Sequence, residues 1–182
     1  MVAPNSDFTV KIDISQVNSL DAANYQISFD PAVLRLDSVT PGTIGAASIP
    51  VDVVNQTSPG HFIIVQNVPG TSGISGSGTL AVLHFHVIGQ IGNISTILIS
   101  DVTLSSNLAV EIQASWTGDF VEVSVILGDA NGDGKVNAVD ITKVERIIAK
   151  LDPPTPGADA NGDGDIDAVD ITKVERIIAG LP

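Results

Sequence analysis

Oxygen-bearing side chains recur at fixed spacing in two segments near the C-terminal end of the chain. Residues 129–149 read DANGDGKVNAVDITKVERIIA and residues 159–179 read DANGDGDIDAVDITKVERIIA, 30 positions later, with differences at three positions. Carboxylate and amide oxygens at alternate positions of a glycine-bent loop can wrap around a hard cation, and calcium takes about six to eight such ligands. The repeated spacing therefore predicts two calcium sites.

The candidate ligands occupy loop positions one, three, five, seven, nine and twelve. In the first loop they are Asp129, Asn131, Asp133, Lys135 through its backbone carbonyl, Asn137 and Asp140. In the second loop they are Asp159, Asn161, Asp163, Asp165 through its backbone carbonyl, Asp167 and Asp170. Magnesium fits less well because it keeps more of its waters. Ordinary Asp-Asn-Gly turns are the competing interpretation, which two loops in the same register disfavour.

Each loop is followed by a segment with helical periodicity. Apolar residues form a stripe at Ile141, Val144, Ile147, Ile148 and Leu151 in the first copy, and at Ile171, Val174, Ile177 and Ile178 in the second. Gly180 is the expected stop of the second helix. The segment LDPPTPGA between the copies contains three prolines and cannot continue a helix.

The loop and helix copies resemble a dockerin module, which would cover residues 127–182. Position twelve is Asp140 or Asp170 instead of the usual glutamate, and the upstream segment VEVSVIL reads as a strand. The module is thus half of an EF-hand, used twice. The resemblance implies two antiparallel helices, two bound calcium ions and helix faces that bind a cohesin domain. A module this small is marginal alone, so its folding is expected to depend on calcium.

The resemblance also implies which residues meet the partner. Carried over by position, they are Ala138, Val139, Glu145 and Arg146, with Ala168, Val169, Glu175 and Arg176 in the second copy. Many dockerins carry Ser-Thr where this chain carries Ala-Val, so a more apolar contact is expected. The alternative is that Val139 and Val169 fill the small core. Because the two copies match at these positions, either helix is expected to meet the same partner.

Residues 1–126 have the pattern of an all-β domain. FTVKIDI alternates apolar and polar residues, with Phe8, Val10, Ile12 and Ile14 on one face, and the runs HFIIVQNV, TLAVLHFHVI and ISTILI are almost wholly apolar. Turn signals such as DP, TPG, SPG and GTSGISGSG separate these runs. Roughly nine short strands and no helical period predict an antiparallel β-sandwich.

This region is similar to cohesin domains. The segments that carry the similarity are FTVKIDISQVNSLDAANYQISFDPAVLRLDSV, whose Phe29-Asp30-Pro31 matches the family's acidic-aromatic turn, and GTLAVLHFHVIG, which starts at Gly78. The resemblance implies a jelly-roll sandwich with a flat face that receives a dockerin. Only residues 126–128 join the two predicted domains, so contact between separate chains, including head-to-tail self-association, is expected more readily than contact within one chain.

Charge and composition limit the classes of partner that the chain can bind. The net charge is −13, divided as −8 over the sandwich and −5 over the tail, which disfavours binding to nucleic acid. The sequence has no apolar run long enough to cross a membrane, no signal peptide and no cysteine. A chain that is stabilised by calcium instead of disulfides is consistent with an extracellular or cell-surface location.

Catalysis is not expected from these residues. The sequence contains no nucleophile motif, phosphate loop or HExxH. His84 and His86 share one strand face, either as a surface metal pair or partner contact, or as an ordinary exposed face. The chain is therefore predicted to be a scaffold component of cellulosome-type, polysaccharide-degrading assemblies. The alternatives are a carbohydrate-binding sandwich, for which Trp116 is the main aromatic candidate, and a structural companion to the dockerin.

Overall fold

The computed structural model describes residues 1–182 and contains two compact units. The strand unit comprises Asp7–His86 and Ile94–Val121, and the loop-helix unit comprises Met1–Ser6, Val87–Asn93 and Glu122–Pro182. The loop-helix unit therefore includes two short segments of the N-terminal region in addition to the C-terminal tail. The boundary of the functional modules between residues 126 and 127 stays a prediction.

Nine strands form the β structure, as the sequence predicted. They are β1 (Asp7–Ser28), β2 (Leu34–Ile44), β3 (Ala47–Ile49), β4 (Val53–Ser58), β5 (His61–Asn67), β6 (Ile74–Val87), β7 (Ile94–Ser106), β8 (Glu111–Ile112) and β9 (Asp119–Glu122). Hydrogen bonding follows the order β3-β2-β6-β1-β5-β4, and β7 joins β1, β8 and β9. Three strands are longer than the short strands expected, because β1, β6 and β7 have 22, 14 and 13 residues.

The long strand β1 serves both layers of the sandwich. Its first half pairs antiparallel with β6, from Asp7 opposite His86 to Ile14 opposite Gly78, and its second half pairs with β5 and β7. Register shifts between residues 12 and 20 separate the halves, and Ser19 there has a positive φ of 53°. Such irregularities let one strand bend from one sheet into the other. The sequence concealed this continuity, because the apolar alternation of FTVKIDI does not continue through residues 15–19.

The core of the strand unit follows the predicted alternation. Its largest fully buried side chains include Leu20, Tyr25, Ile27, Leu34, Ile64, Leu80, Leu83, Phe85 and Leu104. Phe85 stacks on Phe8 at a centroid distance of 5.4 Å and meets Phe29 edge-on at 5.1 Å. Aromatic pairs at these distances add to the free energy gained by burial alone. The predicted apolar motif around Gly78 is thus a packing motif.

A close approach of two backbones explains the glycine that opens this motif. A Cβ on Gly78 of β6 would lie 2.1 Å from the carbonyl oxygen of Thr43, and one on Gly42 of β2 would lie 2.0 Å from that of Thr79. No side chain fits at such distances, so glycine is required on both strands.

The loop-helix unit contains two α-helices of equal length. They are α1 (Ala138–Ile148) and α2 (Ala168–Ile178), with a 3-10 helix at Pro156–Ala158 between them. The core consists of Ala130, Val144, Ile147, Ala158, Ala160 and Val174, and Val136, Ile141, Ile166 and Ile171 pack against it. The predicted stripes are therefore correct for Ile141, Val144, Ile147, Ile171 and Val174, which lie in this core or pack against it. Ile148, Leu151 and Ile178 are exposed instead, because a two-helix module has only one apolar layer to cover them.

Candidate metal centres and helix faces

The first loop is wound around the carboxylate of Asp129. One oxygen, Oδ1, accepts hydrogen bonds from the backbone N–H groups of Gly132 at 2.9 Å and Asp133 at 3.1 Å, and Oδ2 accepts from Gly134 at 2.8 Å. The backbone N–H of Lys135 donates to Asp133 Oδ1 at 2.9 Å. The carboxylates at loop positions one and five therefore both accept backbone N–H groups of the same turn.

Asp140 closes the same loop from the first turn of α1. Its carboxylate accepts from the backbone N–H of Asn131 at 3.1 Å and from that of Asn137 at 2.8 Å. Asn137 in turn caps the helix, since its Oδ1 accepts from the N–H of Val139 at 2.9 Å. The sequence analysis missed this capping box, although an Asn three residues before an Asp is a recognisable signal for one. Loop and helix are thereby joined into one unit.

The second loop repeats these contacts. Asp159 accepts from Gly162 at 2.7 Å and from Gly164 at 2.9 Å, and the backbone N–H of Asp165 donates to Asp163 at 3.0 Å. That donor and the side-chain amide of Asn161 hold the pKa of Asp163 below its ordinary value. Asp170 accepts from the backbone N–H groups of Asn161 at 3.1 Å and Asp167 at 2.8 Å, and Asp167 caps α2.

The loops bury negatively charged carboxylates that a bound cation would compensate. Asp140 and Asp170 have no exposed surface, Asp129 is 4 % exposed, and none of the ion pairs of the structure includes them. Burial raises the pKa of Asp129, against the pull of its backbone hydrogen bonds. Buried carboxylates are costly unless a positive charge compensates them. An all-oxygen donor set at these positions fits calcium.

The predicted partner residues are all exposed on the two helices. Val139 is 58 % and Val169 is 56 % exposed, so neither fills the core, and the alternative interpretation of these valines was wrong. Ala138, Glu145 and Arg146, and their equivalents Ala168, Glu175 and Arg176, are also exposed. Val139 and Arg146 lie seven residues apart and therefore on the same side of α1. Each helix therefore presents an exposed valine and an exposed arginine on the same face.

The two arginines on these faces have different neighbours. Arg146 donates to Asp152 through Nε at 2.9 Å and Nη2 at 2.8 Å, and Lys143 reaches the same carboxylate at 2.9 Å. Arg176 donates instead to the backbone carbonyl of Pro182. Asp152 was not among the residues predicted from the sequence to form a site. The two faces are therefore identical in sequence, and they differ in the group that their arginine contacts.

The histidines of β6 have ordinary polar partners. His84 Nε2 lies 3.0 Å from Thr40 Oγ1, and His86 Nδ1 lies 2.6 Å from Asp7 Oδ1. A ligand atom of Asp37 lies within 4.8 Å of those of Asp7 and His86. Both oxygens of Asp37 already accept from the Arg35 guanidinium, at 2.6 and 3.3 Å, so a cation is in place beside this group.

The only tryptophan lies beside open clefts of the strand unit. Trp116 is half-buried and lines one cavity of about 320 Å³ and another of about 460 Å³. Both are also lined by Asp13 and Thr117. A single half-buried ring provides less stacking surface than a row of exposed rings would.

Comparison with protein families identifies both modules. A family model of the cohesin domain matches residues 1–123, and one of the dockerin type I domain matches residues 127–179. The chain belongs to the cohesin family, and a dockerin type I domain follows its cohesin domain, as the sequence predicted. Cohesins and dockerins are non-catalytic modules of protein–protein assembly, and dockerins of this type bind calcium in general. A search of curated proteins found no match.

Solved cohesins share the fold of the strand region. A non-cellulosomal cohesin of Archaeoglobus fulgidus is 17 % identical, with a TM-score of 0.55 over 66 % of this chain and 83 % of its own. The seventh ScaB type I cohesin of Pseudobacteroides cellulosolvens is 20 % identical, with a TM-score of 0.59 over 68 % and 86 %. The sixth scaffoldin B cohesin of Acetivibrio cellulolyticus, solved in complex with a Cel5 dockerin, is 21 % identical, with a TM-score of 0.55 over 67 % and 92 %.

Cellulosomal cohesin and dockerin modules are typically extracellular or attached to the cell surface. None of the helices described above has the length and apolar character needed to cross a membrane.

Proposed function

We propose that this chain is a non-catalytic adaptor that joins two other components of an assembly. Residues 1–126 would act as a cohesin that receives a dockerin, and residues 127–182 as a dockerin that docks on a cohesin. The observation that carries the proposal is the pair of exposed valines, Val139 and Val169, at matching places on two helices behind oxygen-lined loops. Exposed apolar residues next to charged ones are typical of a docking surface.

We further propose that the dockerin holds two calcium ions. The first would be held by the oxygens of Asp129, Asn131, Asp133, Lys135, Asn137 and Asp140, and the second by those of Asp159, Asn161, Asp163, Asp165, Asp167 and Asp170. The burial of Asp140 and Asp170 without a cationic partner supports this assignment. Calcium supplies the missing positive charge and thereby stabilises both loops and the helices that they cap.

The docking surface would comprise one helix face at a time. Ala138, Val139, Glu145 and Arg146 form one face, and Ala168, Val169, Glu175 and Arg176 form the other. The repeat supports docking through either face. The ion pair of Arg146 with Asp152 supports a preference for the second face when the partner is acidic, because no side-chain carboxylate is paired with Arg176.

A second copy of the chain is one partner that this surface could meet. The sandwich carries a charge of −8 and the tail −5, so head-to-tail association would bring like charges together. Salt screens such repulsion, and association between copies should therefore strengthen with ionic strength. We place the protein outside the cell or on its surface, where calcium levels suit sites of moderate affinity.

Binding of the full chain in calcium and in chelator tests this proposal. Sedimentation velocity would follow self-association, and surface binding would follow capture of the Acetivibrio cellulolyticus scaffoldin B cohesin and of its Cel5 dockerin. Calcium-dependent association that is lost in the V139D/V169D double variant supports the adaptor. Leu151→Asp with Leu181→Asp is the matched control, because these exposed apolar residues occupy equivalent places beyond the C-terminal ends of the two helices. Retention on insoluble polysaccharide without any calcium-dependent protein binding would favour the carbohydrate-binding alternative.

A further inference from the structure

We propose that Ser6 is a positioning residue of the first calcium site, so that calcium at that site and ordering of Met1–Ser6 are coupled, whereas the second site lacks this coupling. The inference rests on the calcium assignment made above. Residues Met1–Ser6 and both loops belong to the same compact unit.

The repeat itself provides the comparison. Gly134 and Gly164 occupy position six of their loops, with φ values of 84° and 95°. A Cβ on Gly134 would lie 2.6 Å from the Cβ of Ser6, whereas one on Gly164 would meet no atom within 4 Å. Because the loops share their sequence at this point, the difference arises from what packs against each of them. Ser6 packs against position six of the first loop, and no atom packs against that position in the second.

Burial of the ligands at positions one and nine differs in the same direction, whereas at position three Asn131 is exposed and Asn161 is half-buried. Asp129 is buried and its equivalent Asp159 is half-buried, and Asn137 is half-buried where Asp167 is exposed. The segment before the second loop also covers the first, since the Thr155 hydroxyl donates to the carbonyl of Ala130 at 2.7 Å. The first loop is therefore enclosed on several sides, and a shift of its backbone must move its neighbours.

Hydrogen bonds hold Ser6 in its position against the loop. Its Oγ donates to the carbonyl of Ala3 at 2.7 Å, and its own carbonyl accepts from the N–H of Val87 at 2.9 Å. The N–H of Asn5 donates to the carbonyl of Val87 at 3.0 Å, and Val2 forms a parallel bridge with Val123. The segment is thus held by its own hydrogen bonds, with Ser6 as its point of contact with Gly134.

Linkage follows from this contact. Without a cation, the carboxylates of Asp129, Asp133 and Asp140 repel one another, and relaxation of the loop would move Gly134 against Ser6. Binding of calcium removes the repulsion and fixes the loop, which restricts the N-terminal segment. Coupling is reciprocal, so ordering of the segment favours calcium at the first site by the same factor as calcium favours ordering, and a disturbance at Ser6 should weaken that site.

Hydrogen exchange in the full chain tests the first half of this inference. Asp133→Ala disables the first loop and Asp163→Ala is the matched change in the second. Calcium is expected to slow exchange of the Val2 and Asn5 amides in the wild type and in D163A, and to leave it unchanged in D133A. Equal protection in both variants, or none in the wild type, would overturn the proposal.

Calcium calorimetry on Ser6→Gln tests the reverse direction. In the D163A background, where only the first loop can bind, the larger side chain is expected to lower affinity by about fivefold or more, within the usual range of coupled sites. In the D133A background it should change nothing. A change in both backgrounds, or in neither, contradicts the coupling. If S6Q does not fold, the exchange experiment, which keeps Ser6, decides alone. Calcium binding without coupling defeats only this inference, whereas absence of binding defeats the calcium assignment as well.

Discussion

Asp152 holds Arg146 through two hydrogen bonds, at 2.9 and 2.8 Å, and so ties the C-terminal part of α1 to the segment that follows it. Thirty residues later the equivalent position is Pro182, which has no side-chain carboxylate. Two helices of identical sequence therefore carry different surfaces. A residue outside the repeat decides how much positive charge each helix presents.

This contact predicts an unusual titration. Hydrogen bonds from Arg146 and Lys143 hold the pKa of Asp152 well below its ordinary value. A carboxyl with a lower pKa in the folded state stabilises that state at pH values above its unfolded pKa, and this stabilisation is lost as the pH falls through the folded pKa. Carbon-13 NMR of the side chain should therefore find Asp152 still ionised where exposed aspartates, with pKa values of about 3.9, are protonated. Arg146→Gln should move the midpoint up, and an ordinary midpoint in the wild type would contradict the prediction.

The buried hydrogen bond between Tyr25 and Gln66 predicts that removal of the Tyr25 hydroxyl lowers the stability of the fold. The Tyr25 hydroxyl donates to Gln66 Oε1 at 2.8 Å, and Gln66 Nε2 donates to the carbonyl of Leu80 at 2.8 Å. Tyr25→Phe leaves the Gln66 oxygen buried without a donor, which should lower the free energy of unfolding by about 1–3 kcal/mol in urea denaturation. Thr40→Val, which removes an exposed contact with His84, should cost less than about 0.5 kcal/mol. Equal effects of the two changes would argue against a special role for the buried pair.

The helix ends predict opposite effects for two reciprocal substitutions. Lys150 follows α1 with φ of 58°, and Gly180 follows α2 with φ of 66°. A side chain in this conformation costs about 1–2 kcal/mol, against about 0.5–1 kcal/mol of extra chain entropy for glycine. Lys150→Gly should therefore stabilise the calcium-loaded helices by about 0.5–1 kcal/mol, and Gly180→Lys should destabilise them by a similar amount. Urea denaturation followed by helical circular dichroism measures both, and changes of the same sign would refute the argument.

Removal of calcium should unfold the helices and leave the strand unit folded. The loops bury Asp129, Asp140 and Asp170 without a cationic side chain, so chelation leaves uncompensated charge beneath each helix start. Far-ultraviolet circular dichroism should lose its helical component in chelator and recover it with calcium, while the β signal persists. Magnesium at the same concentration should restore less of the helical signal, because it keeps more of its waters. An unchanged helical signal in chelator would exclude a folding role for the metal.

Local patterns explain which features could be predicted from the sequence. Ligand spacing in the loops and alternation at Phe8, Ile12 and Ile14 depend on neighbours a few residues apart, so the sequence displays them directly. The continuity of β1 was hidden because its bulges interrupt the alternation. The bond between Arg146 and Asp152 was hidden because it depends on how the chain leaves the helix. Ile148 looked like a core residue because helical periodicity does not state how wide the covered face will be.

The continuity of β1 also affects how the sandwich would resist force. Its 22 residues hydrogen-bond to β6 through one half and to β5 and β7 through the other. Neither layer can peel away by itself, because each would have to give up the strand that it shares with the other. Tension applied at a docked partner would therefore meet both layers together, and the sandwich should rupture in a single step.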